Sequence, residues 1–218
     1  MEQDVPKYFL TAVLVIKDEA TYLSEWIDYH SAVGVEHFYI YDNDSSDNIQ
    51  DILAPYIKSG RVTYTFWPGR GQQRAEYADW HKNYGPDSKW AAIIDVDEFI
   101  IPKTCDNICD FLKNAPADCG QVYIGYNNFG SGGHTTRPCG GVMESYVWRD
   151  NGCDNLLVGW PWSDSGKCVI RPAMIHTVDI HFHVMHPGAQ TYNANMAPYD
   201  IENRDRGNKL PRDRVVLN

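Results

Sequence analysis

Apolar and polar positions alternate along the first 120 residues in blocks that predict strands and helices in turn. Apolar runs of strand length predict four buried strands, at 9–16, 36–41, 61–66 and 90–94. The stretches between them predict helices, at 19–33, 48–58 and 71–84. Strands and helices that alternate in this way indicate an α/β fold with a mainly parallel central sheet flanked by helices.

The pattern changes after Phe99. A short helix at 106–114 and a strand at 121–126 are followed by a glycine-rich stretch that predicts a loop. Because no linker or repeat interrupts the chain, we expect one domain over residues 1–200. Residues 201–218 contain five basic and three acidic residues with little apolar periodicity, which predicts a tail whose positive charge would allow contact with a membrane surface.

Composition narrows the class of protein. The chain has 218 residues, of which 43% are hydrophobic, and a net charge of −10, which argues against a nucleic-acid partner. No apolar run is long enough to span a membrane, and the acidic start MEQDVPKYF lacks the features of a signal peptide, so we expect a cytoplasmic protein. The six cysteines form no CxxC pair, which favours reduced structural thiols.

Acidic residues follow three of the predicted strands. They occur in Lys17-Asp18-Glu19, in the DNDSSD run at 42–47 and in the DVDE run at 95–98. Ligands of open α/β sheets bind at the carboxyl ends of the strands. If these strands are neighbours, their carboxylates converge, and a cation among them would relieve the repulsion.

The DVDE run is the most informative of the three. Asp95 and Asp97 point to one side of an extended chain while Val96 points to the core. Two carboxylates on one side suit Mg²⁺ or Mn²⁺. A bare DxD triplet is more often a helix cap or solvated, but here an apolar strand precedes it and an apolar pair follows.

Six blocks of the chain resemble, in the same order, those of glycosyltransferase family 92. They are KDEATYLSEWIDYHSAVGVEHFYIYDNDSSD at 17–47, WAAIIDVDEFIIP at 90–102, NFGSGGHTTRP at 128–138, GVMESY at 141–146, KCVIRP at 167–172 and HFH at 181–183. The resemblance covers about residues 9–188. It implies the GT-A fold, a Rossmann-like relative of the family 2 transferases, and transfer of a sugar from a nucleotide sugar.

The resemblance also implies roles for the acidic residues. Asp97 would bind the metal directly, and Asp95 would contact the ribose or metal-bound water. Asp42 would read the uracil edge, and Lys17 and Glu19 would lie in the loop around the base and ribose. For Asp44 and Asp47 a turn or a helix cap is the alternative to a binding role.

In many relatives a histidine completes the metal site. His181 and His183 would share one side of a strand, with Phe182 opposite, and of the two we favour His183. A nitrogen ligand would favour Mn²⁺ over Mg²⁺.

Inverting transfer needs a base for the acceptor hydroxyl. Glu144, at the start of a predicted helix after the glycine-rich loop, is the first candidate, Asp164 the second and Glu98 the third. Each could instead be a helix cap or a solvated residue.

Several further residues could contact substrate. His134 and Arg137 lie in the glycine-rich loop, and Trp148, Trp160 and Trp162 could stack on a sugar or fill the core. Lys167 and Arg171 could meet the diphosphate or form salt bridges with carboxylates.

The sequence therefore predicts a transferase that uses Mn²⁺ or Mg²⁺ to move a hexose from a UDP-sugar to a glycan or lipid-linked glycan, with inversion. The resemblance favours galactose as the hexose. The alternatives are a carbohydrate-binding module with a structural metal and a metal-dependent nucleotidyltransferase.

Overall fold

A computed structural model describes residues 5–149, 165–200 and 210–218. The helices are α1 (Ala20–Ala32), α2 (Ile49–Lys58), α3 (Gln73–Asn83), α4 (Ile108–Leu112) and α5 (Val142–Ser145). The first six strands are β1 (Tyr8–Ile16), β2 (His37–Asp42), β3 (Val62–Phe66), β4 (Ser88–Ile93), β5 (Ile100–Pro102) and β6 (Cys119–Gly125). The others are β7 (Gly166–Ile170), β8 (Ile175–Thr177), β9 (Val184–Met185), β10 (Gln190–Asn193) and β11 (Val215–Leu217).

Seven strands form the central sheet, in the order β10-β6-β7-β4-β1-β2-β3. Four pairs of neighbouring strands are parallel: β1 with β2, β1 with β4, β2 with β3 and β6 with β10. β7 runs antiparallel to both of its neighbours, β4 and β6. The mainly parallel α/β sheet in a single domain is therefore confirmed, with one reversed strand that the sequence did not predict.

Side chains alternate across this sheet into two apolar layers. Leu10, Ala12 and Leu14 of β1 pack in the layer that contains the buried face of α1, whereas Val13 points to the other layer, where Tyr77 and Trp80 of α3 pack. β2 alternates in the same way. Because the alternation has the period of a strand, both faces of the sheet are buried and its functional groups lie at the strand ends.

The end of the chain differs from the sequence prediction. β11 pairs antiparallel with β5, and its three residues are buried. The preceding basic residues also contact the protein: Arg212 donates to the carbonyl of Tyr126, and the Arg214 guanidinium lies 5.5 Å from the ring centre of Phe111. Within the predicted tail, residues 210–218 therefore pack against the domain; the sequence does not reveal this because a three-residue strand is too short to show periodicity.

Two other predictions concern the state of the cysteines and the presence of membrane-spanning segments. Within the described ranges the cysteines are free thiols, at positions 105, 109, 119, 139 and 168. Cys153 lies outside the described residues. In the same ranges, no helix has both the length and the apolar character that crossing a membrane requires.

Candidate active site

The loops after β1 and β2 are bonded to each other at the carboxyl edge of the sheet. Lys17 Nζ donates to the carbonyls of Asn43 and Asp44 at 3.0 and 2.8 Å. Asp18 Oδ1 accepts from the Ser46 amide at 2.6 Å. Lys17 is thus engaged with protein carbonyls, and the two loops form one unit at the sheet edge.

Asp47 and Asp42 also bond within this unit. Asp47 Oδ2 accepts from the Ala20 amide at 2.9 Å, so it caps α1 from the neighbouring loop. Asp42 is 1% exposed, and its two oxygens accept from the Ser45 amide at 2.9 Å and the Tyr64 hydroxyl at 2.7 Å. The structure therefore places Asp42 at the predicted strand end, with both carboxylate oxygens already hydrogen-bonded inside the protein.

The DVDE run forms a turn that is separated from the end of β4 by one residue, Ile94. The Glu98 amide donates to the Asp95 carbonyl at 3.1 Å, and the Asp95 amide donates to Glu98 Oε2 at 2.8 Å. Val96 is buried and Asp97 is exposed, as predicted, but the run is a turn and not the extended strand end that the sequence predicts, because β4 ends at Ile93. Burial raises the pKa of Glu98, while the nearby Lys167 ammonium opposes that shift.

Lys167 and Arg171 lie at opposite ends of β7. Lys167 is 1% exposed, and its Nζ lies 2.9 Å from Asp95 Oδ2 and 3.9 Å from Glu98 Oε2. β7 is antiparallel to β4, so its first residues reach the carboxyl edge and the residue after its end lies at the far edge. There Arg171 donates to the carbonyls of Ala115 and Ala117, away from the DVDE turn.

A cleft of about 750 Å³ opens beside the DVDE turn. One end is lined by the carboxylates of Glu19, Asp95, Asp97 and Glu98. The remaining lining is aromatic, amide and apolar, and comes from Tyr22, Phe99, Tyr126, Asn127, Asn128, Phe129, Val142, Met143, Tyr146, Val147 and Asn218. One cavity is therefore lined both by carboxylates and by aromatic and amide side chains of the kind that bind sugars.

The carboxylates at this end affect one another. The pKa of Glu19 is raised, first by burial and then by the negative charges of Asp97 and Asp95. Across the described residues, no three His, Cys, Asp or Glu side chains are arranged to hold a metal ion by themselves. Mg²⁺ and similar cations are commonly held by one or two carboxylates together with substrate phosphates, so Asp95 and Asp97 fit that type of site.

The two predicted histidine ligands do not line the cleft. His183 is 4% exposed, and its Nδ1 accepts from the Asp179 amide at 3.0 Å. Among the residues that the structure describes, its Nε2 has no hydrogen-bond partner, and burial lowers the pKa of His183 to about 3. His181 is exposed, with Nδ1 3.2 Å from the Gly166 carbonyl. The predicted strand at 181–183 is wrong, because β9 begins only at Val184, whereas a metal-binding role for either histidine stays a prediction.

Glu144 lies at the rim of the cleft and faces its own helix. Its Oε1 accepts from the Gly141 amide at 3.1 Å, which is the capping role left open by the sequence. The adjoining residues Val142 and Met143 line the cleft, and their amides donate to the carboxylate of Glu25 at 2.6 and 3.1 Å. Glu25 of α1 thus fixes this wall of the cleft.

The glycine-rich loop reaches the same rim. The His134 ring packs edge-on against Tyr146, with 6.1 Å between ring centres, and the Arg137 guanidinium lies 4.6 Å from the ring centre of Tyr22. Both tyrosines line the cleft. Trp148 is 70% exposed, so it is not a core residue, whereas Asp164, Trp160 and Trp162 lie outside the described residues.

Comparison with known proteins decides the family. The pattern of the family described as Glycosyltransferase family 92 matches residues 12–203. The chain belongs to glycosyltransferase family 92. A family 92 protein of Oryza sativa subsp. japonica is 33% identical over 178 residues, covering 78% of this chain and 29% of that protein. One from Ricinus communis is 28% identical over 178 residues, covering 78% and 30%.

This family 92 chain therefore spans about 30% of the length of the curated relatives it matches. Among solved structures, it is similar to S. aureus TarS residues 1–349 in complex with UDP, with a TM-score of 0.51 and 12% identity. That match covers 76% of this chain and 47% of the other. The likeness and the sheet described above show the GT-A fold.

Of the fifteen residues that line the family 92 cleft, the sequence pointed only to Glu19, Asp95, Asp97 and Glu98. Tyr126, Asn127 and Asn218 come together because the Asn127 amide donates to the Leu217 carbonyl at 2.7 Å and Asn127 Nδ2 donates to Asn218 Oδ1 at 2.9 Å. No local pattern marks these residues, since the contacts join segments far apart along the chain. Tyr22 was within reach of sequence analysis, because it lies one helical turn after Glu19.

Proposed function

We propose that the chain carries the active site of a metal-dependent transferase that moves a hexose, galactose by preference, from a UDP-sugar to a hydroxyl of a glycan or lipid-linked glycan, with inversion. The observation that carries the proposal is the meeting of Glu19, Asp95 and Asp97 at one end of a cleft at the carboxyl edge of the sheet. Membership in family 92 supports sugar transfer, and the UDP bound to TarS supports the nucleotide.

In this proposal the acidic end of the cleft receives the diphosphate. Asp97, exposed to the cleft, would bind Mn²⁺ or Mg²⁺ directly, and Asp95 would contact the ribose or metal-bound water. A cation held there would supply positive charge that offsets the negative charge of the diphosphate leaving group. Lys167 keeps Asp95 in place from the protein side through its 2.9 Å ion pair.

For the base we propose Glu144, with Asp164 as the second candidate. Glu144 adjoins the cleft-lining Met143, and release of its contact with the Gly141 amide would free the carboxylate to accept the acceptor proton. Glu144→Gln should then keep UDP affinity and lose sugar transfer. If it transfers sugar at the wild-type rate, Glu144 is not the base.

The metal site is tested by thermal unfolding with UDP, with Mn²⁺ and with both. A ligand that binds only the folded state raises its stability, so UDP with Mn²⁺ should raise the melting temperature of the wild type. The matched variants are Asp97→Asn, in the cleft, and Asp106→Asn, an exposed carboxylate outside the cleft lining. We expect the shift to vanish in the first and persist in the second; equal shifts in both would refute the assignment.

Product analysis distinguishes the proposed reaction from its rivals. UDP-galactose and UDP-glucose are incubated with Mn²⁺ and a panel of glycan acceptors, and the anomeric configuration of the product is read by proton NMR. A sugar joined to the acceptor with inverted configuration is expected. Transfer of a nucleotidyl group would identify a nucleotidyltransferase, and binding without turnover of any donor would favour a carbohydrate-binding module.

A further inference from the structure

Glu98 connects the DVDE turn to the elements around it. Its Oε2 accepts from the Asp95 amide at 2.8 Å and lies 3.9 Å from Lys167 Nζ of β7. Its carboxylate also accepts from the hydroxyl of Tyr126, the residue that immediately follows β6. Its carbonyl accepts from Trp26 Nε1 of α1 at 3.0 Å. One residue thus joins the end of β4 to two strands and a helix.

These contacts fix the path of the turn. The Glu98 amide donates to the Asp95 carbonyl at 3.1 Å, so residues 95 and 98 bond in both directions. Asp95 and Asp97 can face the cleft together only while this turn keeps its shape, because a different turn would rotate one of them away. Lys167, bonded to Asp95 Oδ2 at 2.9 Å, fixes the Asp95 side chain from the opposite side.

We propose that Glu98 is a positioning residue, which holds the turn so that Asp95 and Asp97 face the diphosphate and metal, and that it is not the base. The inference rests on the proposed function for the identity of that ligand. Glu98 borders the cleft but is only 9% exposed, and its carboxylate already accepts from the Asp95 amide and the Tyr126 hydroxyl. A base needs a carboxylate oxygen that is free to take the proton of the acceptor hydroxyl. A hydrogen-bond acceptor at position 98, with or without charge, is what this role requires.

The matched variants Glu98→Gln and Glu98→Ala test this role. The glutamine amide oxygen can still accept from the Asp95 amide, and alanine cannot. Outer contacts of metal ligands are worth about 10- to 100-fold in affinity, so we expect UDP–Mn²⁺ to bind at least about tenfold more weakly to Glu98→Ala and within about threefold of wild type to Glu98→Gln. Titration calorimetry with UDP and Mn²⁺ measures both.

A second measurement needs no ligand. Amide hydrogen exchange in a peptide covering the 95–98 turn should be faster in Glu98→Ala than in wild type and close to wild type in Glu98→Gln. Tyr126→Phe removes one donor to Glu98 and should accelerate exchange by a smaller amount. If Glu98→Ala does not fold, Tyr126→Phe decides whether the contacts of Glu98 hold the turn.

Two results would overturn the proposal. Equal loss of affinity in Glu98→Gln and Glu98→Ala would mean that the charge itself acts on substrate or proton. Unchanged exchange in Glu98→Ala, or in Tyr126→Phe where that variant decides, would mean that Glu98 does not hold the turn. A wild-type chain that binds no UDP counts against the proposed function alone, because the exchange experiment still tests the turn.

Discussion

His30 joins α1 to β5 through both nitrogens of a fully buried ring. Its Nδ1 lies 2.8 Å from the Trp26 carbonyl, and its Nε2 accepts from the Ile100 amide at 3.3 Å. The first contact requires a proton on Nδ1 and the second requires a bare Nε2, so the pair selects one neutral tautomer. Burial accordingly lowers the pKa of His30 to about 4 from its ordinary 6.5.

This shift predicts acid-sensitive stability. Because the folded pKa lies below the unfolded value, the contribution of His30 is complete above about pH 6.5 and is lost as the pH falls towards 4. Between pH 8 and pH 5 the loss should be about 2 kcal/mol of unfolding free energy. Urea unfolding at pH 8 and pH 5 measures this loss of unfolding free energy. In His30→Gln the loss should be smaller than in the wild type by about 2 kcal/mol. Identical losses in the two proteins would contradict the assignment to His30.

At the scale of elements, β7 fits between β4 and β6 only because its first residue has no side chain. Gly166 pairs with Gly125 of β6, and a Cβ at position 166 would overlap the carbonyl oxygen of Ile124. That obstacle is backbone within the sheet, so a small side-chain movement cannot relieve it. The next residue, Lys167, forms its ion pair with Asp95, which follows β4 on the other side of β7.

Gly166→Ala should therefore destabilise the fold by about 3 kcal/mol, the upper end of the usual cost of overpacking. Gly130→Ala is the matched control, because a Cβ there meets no atom within 4 Å and the residue has no positive φ. We expect the control to change the unfolding free energy by at most about 0.5 kcal/mol. The two variants are compared by urea unfolding. Similar urea midpoints for Gly166→Ala and Gly130→Ala would be inconsistent with close packing of β7 against β6.

At the scale of the whole molecule, residues beyond the matched family region complete the cleft. The family match ends at 203, yet Leu217 is 1% exposed in the main core and its carbonyl accepts from the Asn127 amide. Asn218 bonds to Phe99 in both directions, at 2.6 and 2.9 Å. The last residues therefore tie the DVDE region to the end of β6.

Leu217→Ala should reduce the unfolding free energy by about 3 kcal/mol, since it leaves a cavity in the core. Val184→Ala removes apolar atoms from a residue that is 59% exposed, and should cost at most about 0.5 kcal/mol. Thermal and urea unfolding of both variants would measure the difference. A Leu217→Ala protein as stable as the control would show that β11 contributes little to the fold.

Local patterns were sufficient for β1 to β4, for the three helices between them and for which residues of the DVDE run are buried or exposed. The buried face of α1 and the alternation of Asp95, Val96 and Asp97 depend on the periods of helix and strand, which a sequence displays directly. The position of β7 depends on pairing between distant segments and on a missing Cβ, which no period encodes. The same limit applies to His181 and His183, because the chain after β8 is irregular there and neither side chain is among the residues that line the cleft.

The reversed strand has a consequence for the order in which the chain folds. β1 to β4 can pair with one another as soon as they are synthesised, but β4 has its second partner only when β7 is available, after β5 and β6. Until then β4 has an unpaired edge in the middle of the future sheet, and exposed edges of this kind favour wrong pairing. We therefore expect the pairing of β4 with β7, which places Lys167 beside Asp95, to form late in folding, so that the acidic site is assembled only when these two strands pair.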